Sequence, residues 1–257
     1  LSAIMKQQCT ERARIVLNEA MDIHAGSAIC VGRNNFLEKF YKSAPIGITV
    51  EGSNTLTRSL IIFGQGLNKS HPHISSILES ILNDDLNQFK TKLNAMLLDI
   101  FLLYIDSARM KTNLENQILH YALLSNFVAL KGGALKKEQI ISGEMADIFS
   151  NLYLALSVKY YSNNRVTSNK LTEYIIERLL NENQLKINNV IDNLGIEKYM
   201  LLHLKGKVKT RNYKQEKEMF DEIMNDSKIM EEIKTNIYIQ PGSIIDDFKE
   251  FENNESI

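Results

Sequence analysis

The residue best placed to take part in a chemical reaction is Glu51, which follows a short apolar run and precedes a helix start. Gly52 comes next, and the small polar residues Ser53 and Asn54 follow it. Ser53 or Asn54 can accept hydrogen bonds from the free N–H groups at the start of a helix. A carboxylate in this position either interacts with the helix dipole or acts as a general base. The local pattern favours the helix-dipole interpretation, so the rest of the chain must decide between the two.

Glycines concentrate around this stretch. Six of the 12 glycines lie between Gly26 and Gly66. Glycine permits tight turns and a close approach of backbone to a ligand, so this region is the predicted location of a site. Gly26 is also expected to end the first helix in the left-handed conformation. Pro45 and Gly47 predict a break in regular structure just before Glu51.

The elements that must position these residues are helices. Apolar residues recur at helical spacing, and no β-α-β alternation or internal repeat is visible, so we expect an all-α fold. The middle of the helix at 84–110 is apolar on nearly every side, which predicts a central place in a bundle. The predicted helices span residues 2–23, 84–110, 113–130, 136–161, 168–194, 211–224 and 227–236.

Composition excludes several classes of function. With 30 basic and 31 acidic residues the net charge is −1, so we expect no nucleic-acid partner. The strongest apolar run, residues 96–105, contains Asp99 and is shorter than the roughly 20 residues of a membrane span, so no transmembrane segment is expected. Cys9 and Cys30 are too few for a disulfide framework, which predicts a reducing compartment and two small buried side chains.

A metal site is not expected. His71 and His73 have a ligand-like spacing, but no cysteine or carboxylate cluster accompanies them in the sequence. The pair flanks a proline, which is typical of a surface loop. We therefore predict a loop at this point and no metal ligands.

Three segments carry a family resemblance: residues 22–26 (DIHAG), residues 49–54 (TVEGSN) and residues 62–66 (IFGQG), with His71-Pro72 following the third. They resemble the C-terminal part of acyl-CoA dehydrogenases, specifically the long bacterial enzymes of fatty-acid β-oxidation of the FadE type. Residues 130–136 (LKGGALK) and 147–155 (DIFSNLYLA) resemble the additional helical region of these enzymes. The resemblance covers about residues 1–160. It implies that residues 1–75 are the C-terminal helical part of the catalytic domain and that residues 76–257 form the additional helical region.

The resemblance implies a catalytic role for Glu51. In this family the acid before the glycine removes the α-proton of an acyl-CoA thioester, and the β-hydrogen leaves as hydride to the flavin. A thioester α-proton is weakly acidic, so the base needs a water-poor pocket, and hydrogen bonds must stabilise the enolate. Gly52 leaves room for substrate. Ser53 and Thr55 match family positions near the flavin, and both can equally cap a helix.

The turn at Asp22–Gly26 resembles the segment that reaches the FAD of a neighbouring subunit, at its pyrophosphate or adenosine end. Asp22 and Gly26 are therefore candidate cofactor-binding residues. The wider family usually has glutamine at the position of Asp22 and a second glycine at that of Ala25 or Ala28. Residues 27–28 also depart from the long bacterial branch, where lysine and glycine are typical.

The implied function is FAD-dependent oxidation of fatty acyl-CoA to trans-2-enoyl-CoA, with electrons passed to an electron-transfer acceptor. We expect a homo-oligomer in the cytoplasm, with peripheral association at the inner membrane as the alternative location. The family's N-terminal helical domain and β-rich middle domain have no counterpart in these 257 residues. The chain is therefore expected to be a C-terminal fragment that is inactive alone. The alternative is a non-catalytic helical packing or interaction module left by truncation of such an enzyme.

Overall fold

The computed structural model describes residues 1–32, 35–109, 113–235, 237–239, 241–243 and 245–247. Regular structure in these residues is helical and no strand occurs among them, which confirms the predicted all-α fold. No described helix combines the length and apolar character needed to cross a membrane. The helices are α1 (Ser2–His24), α2 (Gly26–Ile29), α3 (Leu37–Thr49), α4 (Asn54–Leu56), a π-helix (Thr57–Gln65), α5 (Gly66–Ser70), α6 (Ile74–Leu82), α7 (Leu86–Ser107), α8 (Asn113–Ala129), a 3-10 helix (Gly132–Lys136), α9 (Gln139–Asn164), α10 (Asn169–Asp192), α11 (Lys198–Leu201), a second 3-10 helix (Leu202–Leu204), α12 (Tyr213–Asn225) and α13 (Ser227–Lys234).

Side-chain caps begin several of these helices. Asp85 accepts a hydrogen bond from an N–H in the first turn of α7, and Ser168 does the same for α10. Asp226 accepts from two N–H groups of α13. Each cap satisfies donors that have no partner within the helix, so the local sequence determines where these helices start.

The chain divides into two compact units, one formed by residues 1–54 with 226–257 and the other by residues 55–225. In the first unit α1 packs along α3. A Cβ atom at Gly47 would lie 3.3 Å from Thr10 Cγ2, so glycine at this position permits a close approach of the two helices. The predicted division at residue 75 separates a catalytic portion from an added region, and it remains a prediction.

The prediction that Pro45 and Gly47 break regular structure is wrong. α3 continues through both residues to Thr49. Proline removes one intrahelical donor, and the helix tolerates this loss because α3 packs against α1. The Pro45 carbonyl accepts a hydrogen bond from Thr49 Oγ1 at 2.9 Å, which holds the last turn.

The core of the second unit lies where α9 packs against α10 and the π-helix. Asn151 and Asn183 are buried in it, and Asn151 Nδ2 donates to Asn183 Oδ1 at 3.1 Å. Most of the other buried side chains are apolar, as the hydrophobic periodicity requires. Its fully buried side chains include Phe63, Leu123, Leu124, Val128, Met145, Ile148, Ile187, Val190 and Ile191.

A partly buried ion cluster anchors the π-helix in this unit. Arg58 Nε and Nη2 donate to the two carboxylate oxygens of Asp147 on α9, at 2.7 and 2.8 Å. Lys186 of α10 donates to the same carboxylate at 2.8 Å. These contacts raise the pKa of Arg58 above its ordinary value, with the Asp147 hydrogen bond as the largest cause. A Cβ at Gly143 would lie 2.4 Å from Arg58 Nη1, so glycine provides the space for the guanidinium.

The prediction that the helix at 84–110 occupies the centre of a bundle is wrong. α7 packs mainly against α6 and α8, and only Met96 and Ser107 along it are buried. Leu98 and Phe101 are 58% and 60% exposed. An apolar pattern shows that a face can be buried, but it does not reveal which element covers that face.

Candidate active site

Glu51 lies in a tight turn between α3 and α4. Its φ is 54° and that of the following Gly52 is 84°. Glycine adopts positive φ readily, whereas a non-glycine residue is strained there. Strained residues concentrate at functional sites. The turn leaves the Glu51 side chain exposed.

The turn is fastened to α1 by hydrogen bonds that sequence analysis missed. Lys6 Nζ donates to the Gly52 carbonyl and to Asn54 Oδ1, both at 2.8 Å. Asn54 is 5% exposed, and its Nδ2 donates to Thr10 Oγ1 at 2.8 Å and Glu11 Oε1 at 2.9 Å. These partners lie more than 40 residues apart in the chain, so no local sequence signal connects them.

A helix begins after Glu51 as predicted, and most of it is π-helical rather than α-helical. The α-helical turn of α4 passes into the π-helix, in which hydrogen bonds join residues five apart. The wider spacing changes which side chains face the core. Leu56 is 44% exposed, whereas Thr57 and Ser59 are buried with Ile62 and Phe63.

Ser53 and Thr55 flank the start of this helix. Ser53 is half-buried in the same turn as Glu51 and Gly52, while the side chain of Thr55 is exposed. The Thr55 carbonyl accepts a hydrogen bond from Ser59 Oγ at 2.7 Å. The suggested contacts of both hydroxyls with a flavin stay predictions.

The turn after α1 departs from the prediction at Gly26. α1 ends at His24, and Ala25 takes φ 47° and ψ −126° while its N–H donates to the Met21 carbonyl at 2.9 Å. Gly26 then opens α2 with no positive φ. The prediction of a left-handed Gly26 is therefore wrong, because the chain reverses one residue earlier.

A groove of about 830 Å³ lies beside this turn and is lined by Asp22, Ala25 and Ala28 with part of α3. Glu38 and Lys42 also line it and pair with each other. The two carboxylates therefore face one cation that is already paired. Such a set suits ligand hydroxyl and amino donors and disfavours a phosphate group.

The Asp22 turn and the Glu51 turn lie at opposite ends of α1. Lys6, which holds the Glu51 turn, and Asp22 are separated by 16 residues of one helix, or about 24 Å along its axis. The structure thus brings Glu51, Gly52 and Ser53 together and keeps Asp22 and Gly26 apart from them.

The remaining candidates are placed differently from their predictions. Cys9 and Cys30 are exposed free thiols, so their predicted burial is wrong. His71 and His73 lie in the predicted loop, between α5 and α6, but both bond to neighbouring helices. His71 Nε2 contacts Asn126 Oδ1 at 3.0 Å, and His73 Nε2 contacts Asp99 Oδ2 at 2.6 Å. In the described part of the chain no three His, Cys, Asp or Glu side chains are grouped to hold a metal ion.

Comparison with known proteins identifies the family. The family model "Acyl-CoA dehydrogenase, C-terminal, bacterial type" matches residues 106–253, more than half of the chain. The fold is similar to that of an acyl-CoA dehydrogenase from Bacillus anthracis, crystallised in complex with FAD, with a TM-score of 0.62 and 19% identity. The match covers 88% of this chain and 40% of that protein, so the chain spans less than half of its length. The chain belongs to the acyl-CoA dehydrogenases, with the bacterial-type C-terminal domain of that family.

Proposed function

We propose that this chain is the C-terminal part of an FAD-dependent acyl-CoA dehydrogenase of fatty-acid β-oxidation, in which Glu51 accepts the α-proton. One observation carries the proposal. In a chain of this family, Glu51 is held at a positive φ in a turn that Lys6 fastens to α1. Retaining glutamate in a conformation that favours glycine is understandable if its carboxylate has a function.

The surroundings of Glu51 account for its positioning. Lys6 and Asn54 fix the backbone of the turn, so the carboxylate projects from a defined point. Gly52 at φ 84° adds no side chain beside it, which leaves room for a thioester. Because Glu51 is exposed here, substrate and further polypeptide would have to exclude water from it during proton removal.

The flavin-binding roles are proposed from the resemblance to the family, for residues near the two ends of α1. When bound, FAD would supply the hydride acceptor for the β-hydrogen. Ser53 and Thr55 are proposed to lie near its reactive ring, and Asp22 and Gly26 near the adenosine end of a second FAD. The acidic groove beside Asp22 suits ribose hydroxyls and the adenine amine better than the pyrophosphate. The resemblance places the contacts of Asp22 and Gly26 on the FAD of a neighbouring subunit, so a homo-oligomer is proposed with them.

Glu51→Gln tests this proposal in the protein produced from its complete reading frame. The variant should keep its fold and bound flavin but lose nearly all flavin reduction by acyl-CoA, followed by stopped-flow absorbance. Glu19→Gln on the exposed surface of α1 is the matched control and should reduce flavin at the wild-type rate. Rapid flavin reduction in Glu51→Gln would reject the role of this residue.

The acceptor of the electrons from the flavin is proposed to be an electron-transfer partner. The proposed location of the protein is the cytoplasm, or the periphery of the inner membrane.

A second candidate is a non-catalytic helical module left by truncation. Its support is that residues 55–225 form a compact unit with their own core, while Glu51 is exposed. The two candidates differ in the size of the native protein. An antibody against α10 should detect a protein much longer than 257 residues if the enzyme proposal is right, and one near 257 residues if the module is right.

A further inference from the structure

A row of side-chain amides on α10 binds an extended segment of the same chain. Residues 205–212 have no regular secondary structure. Asn181 Nδ2 donates to the Lys209 carbonyl at 2.8 Å, and the Lys209 N–H donates back to Asn181 Oδ1 at 2.6 Å. Asn188 makes the same reciprocal pair with Gly206, at 2.8 and 3.2 Å. Each asparagine thus pairs with main chain as a neighbouring strand would.

The spacing of the two asparagines explains this register. Asn181 and Asn188 are seven residues apart on one helix face, a rise of about 10.5 Å. Gly206 and Lys209 are three residues apart in extended chain, a span of about 10 Å. The segment therefore runs antiparallel to α10 with matching repeats. Gln184, between the asparagines, adds a hydrogen bond to the Leu204 carbonyl at 3.1 Å.

Charges at both ends of the row favour a basic segment. Lys205 Nζ contacts the two carboxylate oxygens of Asp192 at 2.6 and 2.8 Å, and Lys209 pairs with Glu177. A Cβ at Gly206 would lie 2.9 Å from Gln184 Cδ, so glycine at this position lets the segment lie close to the Gln184 amide. The row therefore combines recognition of main chain with selection for lysines beside a glycine.

The hydrogen bonds and ion pairs of residues 205–209 with α10 are polar contacts at the protein surface. Residues 205–211 are exposed, and even Val208 is 43% exposed. Exposed hydrogen bonds and ion pairs contribute little net stability each, because water competes for the same groups. The segment can therefore leave the row without disrupting the apolar core.

We propose that the amide row of α10, formed by Asn181, Gln184 and Asn188, is a binding site for extended basic peptide. Residues 205–211 occupy it in cis, and the same residues of a second copy of the chain can replace them. Main-chain hydrogen bonds supply affinity and the flanking acids supply selectivity, as when a peptide adds to the edge of a sheet. This site is independent of the proposed dehydrogenase chemistry.

A labelled peptide with the sequence of residues 203–212 (HLKGKVKTRN) tests the proposal by fluorescence anisotropy. In Lys205→Glu/Lys209→Glu the cis segment is repelled by Asp192 and Glu177 while the row stays intact. This variant should bind the peptide about tenfold more tightly than the wild type, because cis occupancy lowers the apparent affinity. Adding Asn181→Ala/Asn188→Ala should abolish binding. Equal affinity of the wild type and the charge variant, or binding that survives loss of the asparagines, would overturn the proposal.

Trypsin gives a second readout that uses the cleavage sites within residues 205–211. Asn181→Ala/Asn188→Ala should be cut there several-fold faster than the wild type, with an unchanged circular dichroism spectrum. Asn94→Ala, at an exposed position of α7, is the control and should leave the cutting rate unchanged. If the double variant is folded and is cut no faster than the control, the row does not hold the segment and the proposal fails.

Discussion

Replacing Asp147 by asparagine is expected to destabilise the second unit. One carboxylate there receives two hydrogen bonds from Arg58 and one from Lys186. It thereby joins the π-helix, α9 and α10. The neutral amide removes the negative charge and places an NH2 group where one carboxylate oxygen accepted, so both ion pairs and at least one hydrogen bond are lost.

The magnitude follows from the burial of the three side chains. The side chains of Arg58, Asp147 and Lys186 are 35%, 17% and 25% exposed, so the cluster is neither fully solvated nor fully dry. Exposed pairs are worth about 0.2–1 kcal/mol, and breaking a buried pair costs about 3–5 kcal/mol. We expect an intermediate loss of about 2–3 kcal/mol in the free energy of unfolding. For a unit of this size, that corresponds to a decrease of about 5–10 °C in Tm.

Urea unfolding followed by circular dichroism at 222 nm measures this loss. Asp221→Asn, at an exposed position of α12, is the matched control and should change stability by less than about 0.5 kcal/mol. A double-mutant cycle with Arg58→Met and Lys186→Met should show that the two cations couple through Asp147. If Asp147→Asn unfolds at the same urea concentration as Asp221→Asn, the cluster does not anchor the π-helix as described.

Three further predictions concern the turns and the histidines. Ala25→Gly should stabilise the chain by about 1 kcal/mol in urea unfolding, because it relieves the strained φ of 47°. Lys6→Met should lower the unfolding free energy by about 1–2 kcal/mol and speed cleavage at Glu51 by a glutamate-specific protease, because the turn loses its link to α1. Burial lowers the pKa of His71 and His120, so the unfolded chain binds protons more readily than the folded chain below about pH 6.5. Stability should therefore fall as the pH is lowered through 6.5 toward the depressed folded-state pKa, measured as the unfolding midpoint at pH 7.5 and 5.5.

Each of these has a control and a contradicting result. Ala20→Gly, within α1, should destabilise the chain by about 1 kcal/mol, and a similar loss at Ala25 would show that its backbone is not strained. Lys90→Met, on the exposed surface of α7, should leave the rate of cleavage at Glu51 unchanged. If Lys6→Met is cleaved at the same rate as Lys90→Met, Lys6 does not hold the Glu51 turn against α1. His71→Asn/His120→Asn should reduce the pH dependence, and an undiminished dependence would assign it to other groups.

Hydrophobic periodicity predicted the long helices well because each one contributes its own buried face. The predicted helix at 113–130 corresponds to α8 at Asn113–Ala129, and the one at 168–194 to α10 at Asn169–Asp192. The same reasoning failed for α7, whose apolar residues 97, 98 and 101 remain exposed. The hydrophobic period and composition of a helix show that one of its faces can be buried. Which element packs on that face depends on the tertiary structure.

Single residues at turns were harder to predict. Gly26 was the natural candidate for a positive φ, yet Ala25 adopts it because the Ala25 N–H closes the last turn of α1. Pro45 was expected to end a helix that tertiary packing on α1 sustains. In both cases a local preference of about 1–3 kcal/mol was overridden by neighbouring structure.

In the candidate site, too, local sequence features could be predicted and tertiary contacts could not. The local pattern around Glu51 favoured an interaction with the helix dipole, and its catalytic role was inferred from the resemblance of residues 49–54 to the family. Lys6 and Asn54, which position it, are separated from their partners by 43 to 48 residues, and no pattern joins them. The amide row of α10 could not be predicted for a related reason. Two asparagines seven residues apart on a helix do not indicate a binding site unless the segment that lies beside them is known.

Hydrogen exchange at the α-carbon of the substrate tests the central claim most directly. The protein from the complete reading frame, loaded with FAD, is incubated with acyl-CoA in D2O, and deuterium at the α-carbon is followed by mass spectrometry. The wild type should incorporate deuterium, and Glu51→Gln should do so no faster than buffer, because no other residue is proposed to take that proton. Incorporation by Glu51→Gln at a rate comparable to the wild type would contradict the assignment of Glu51 as the base.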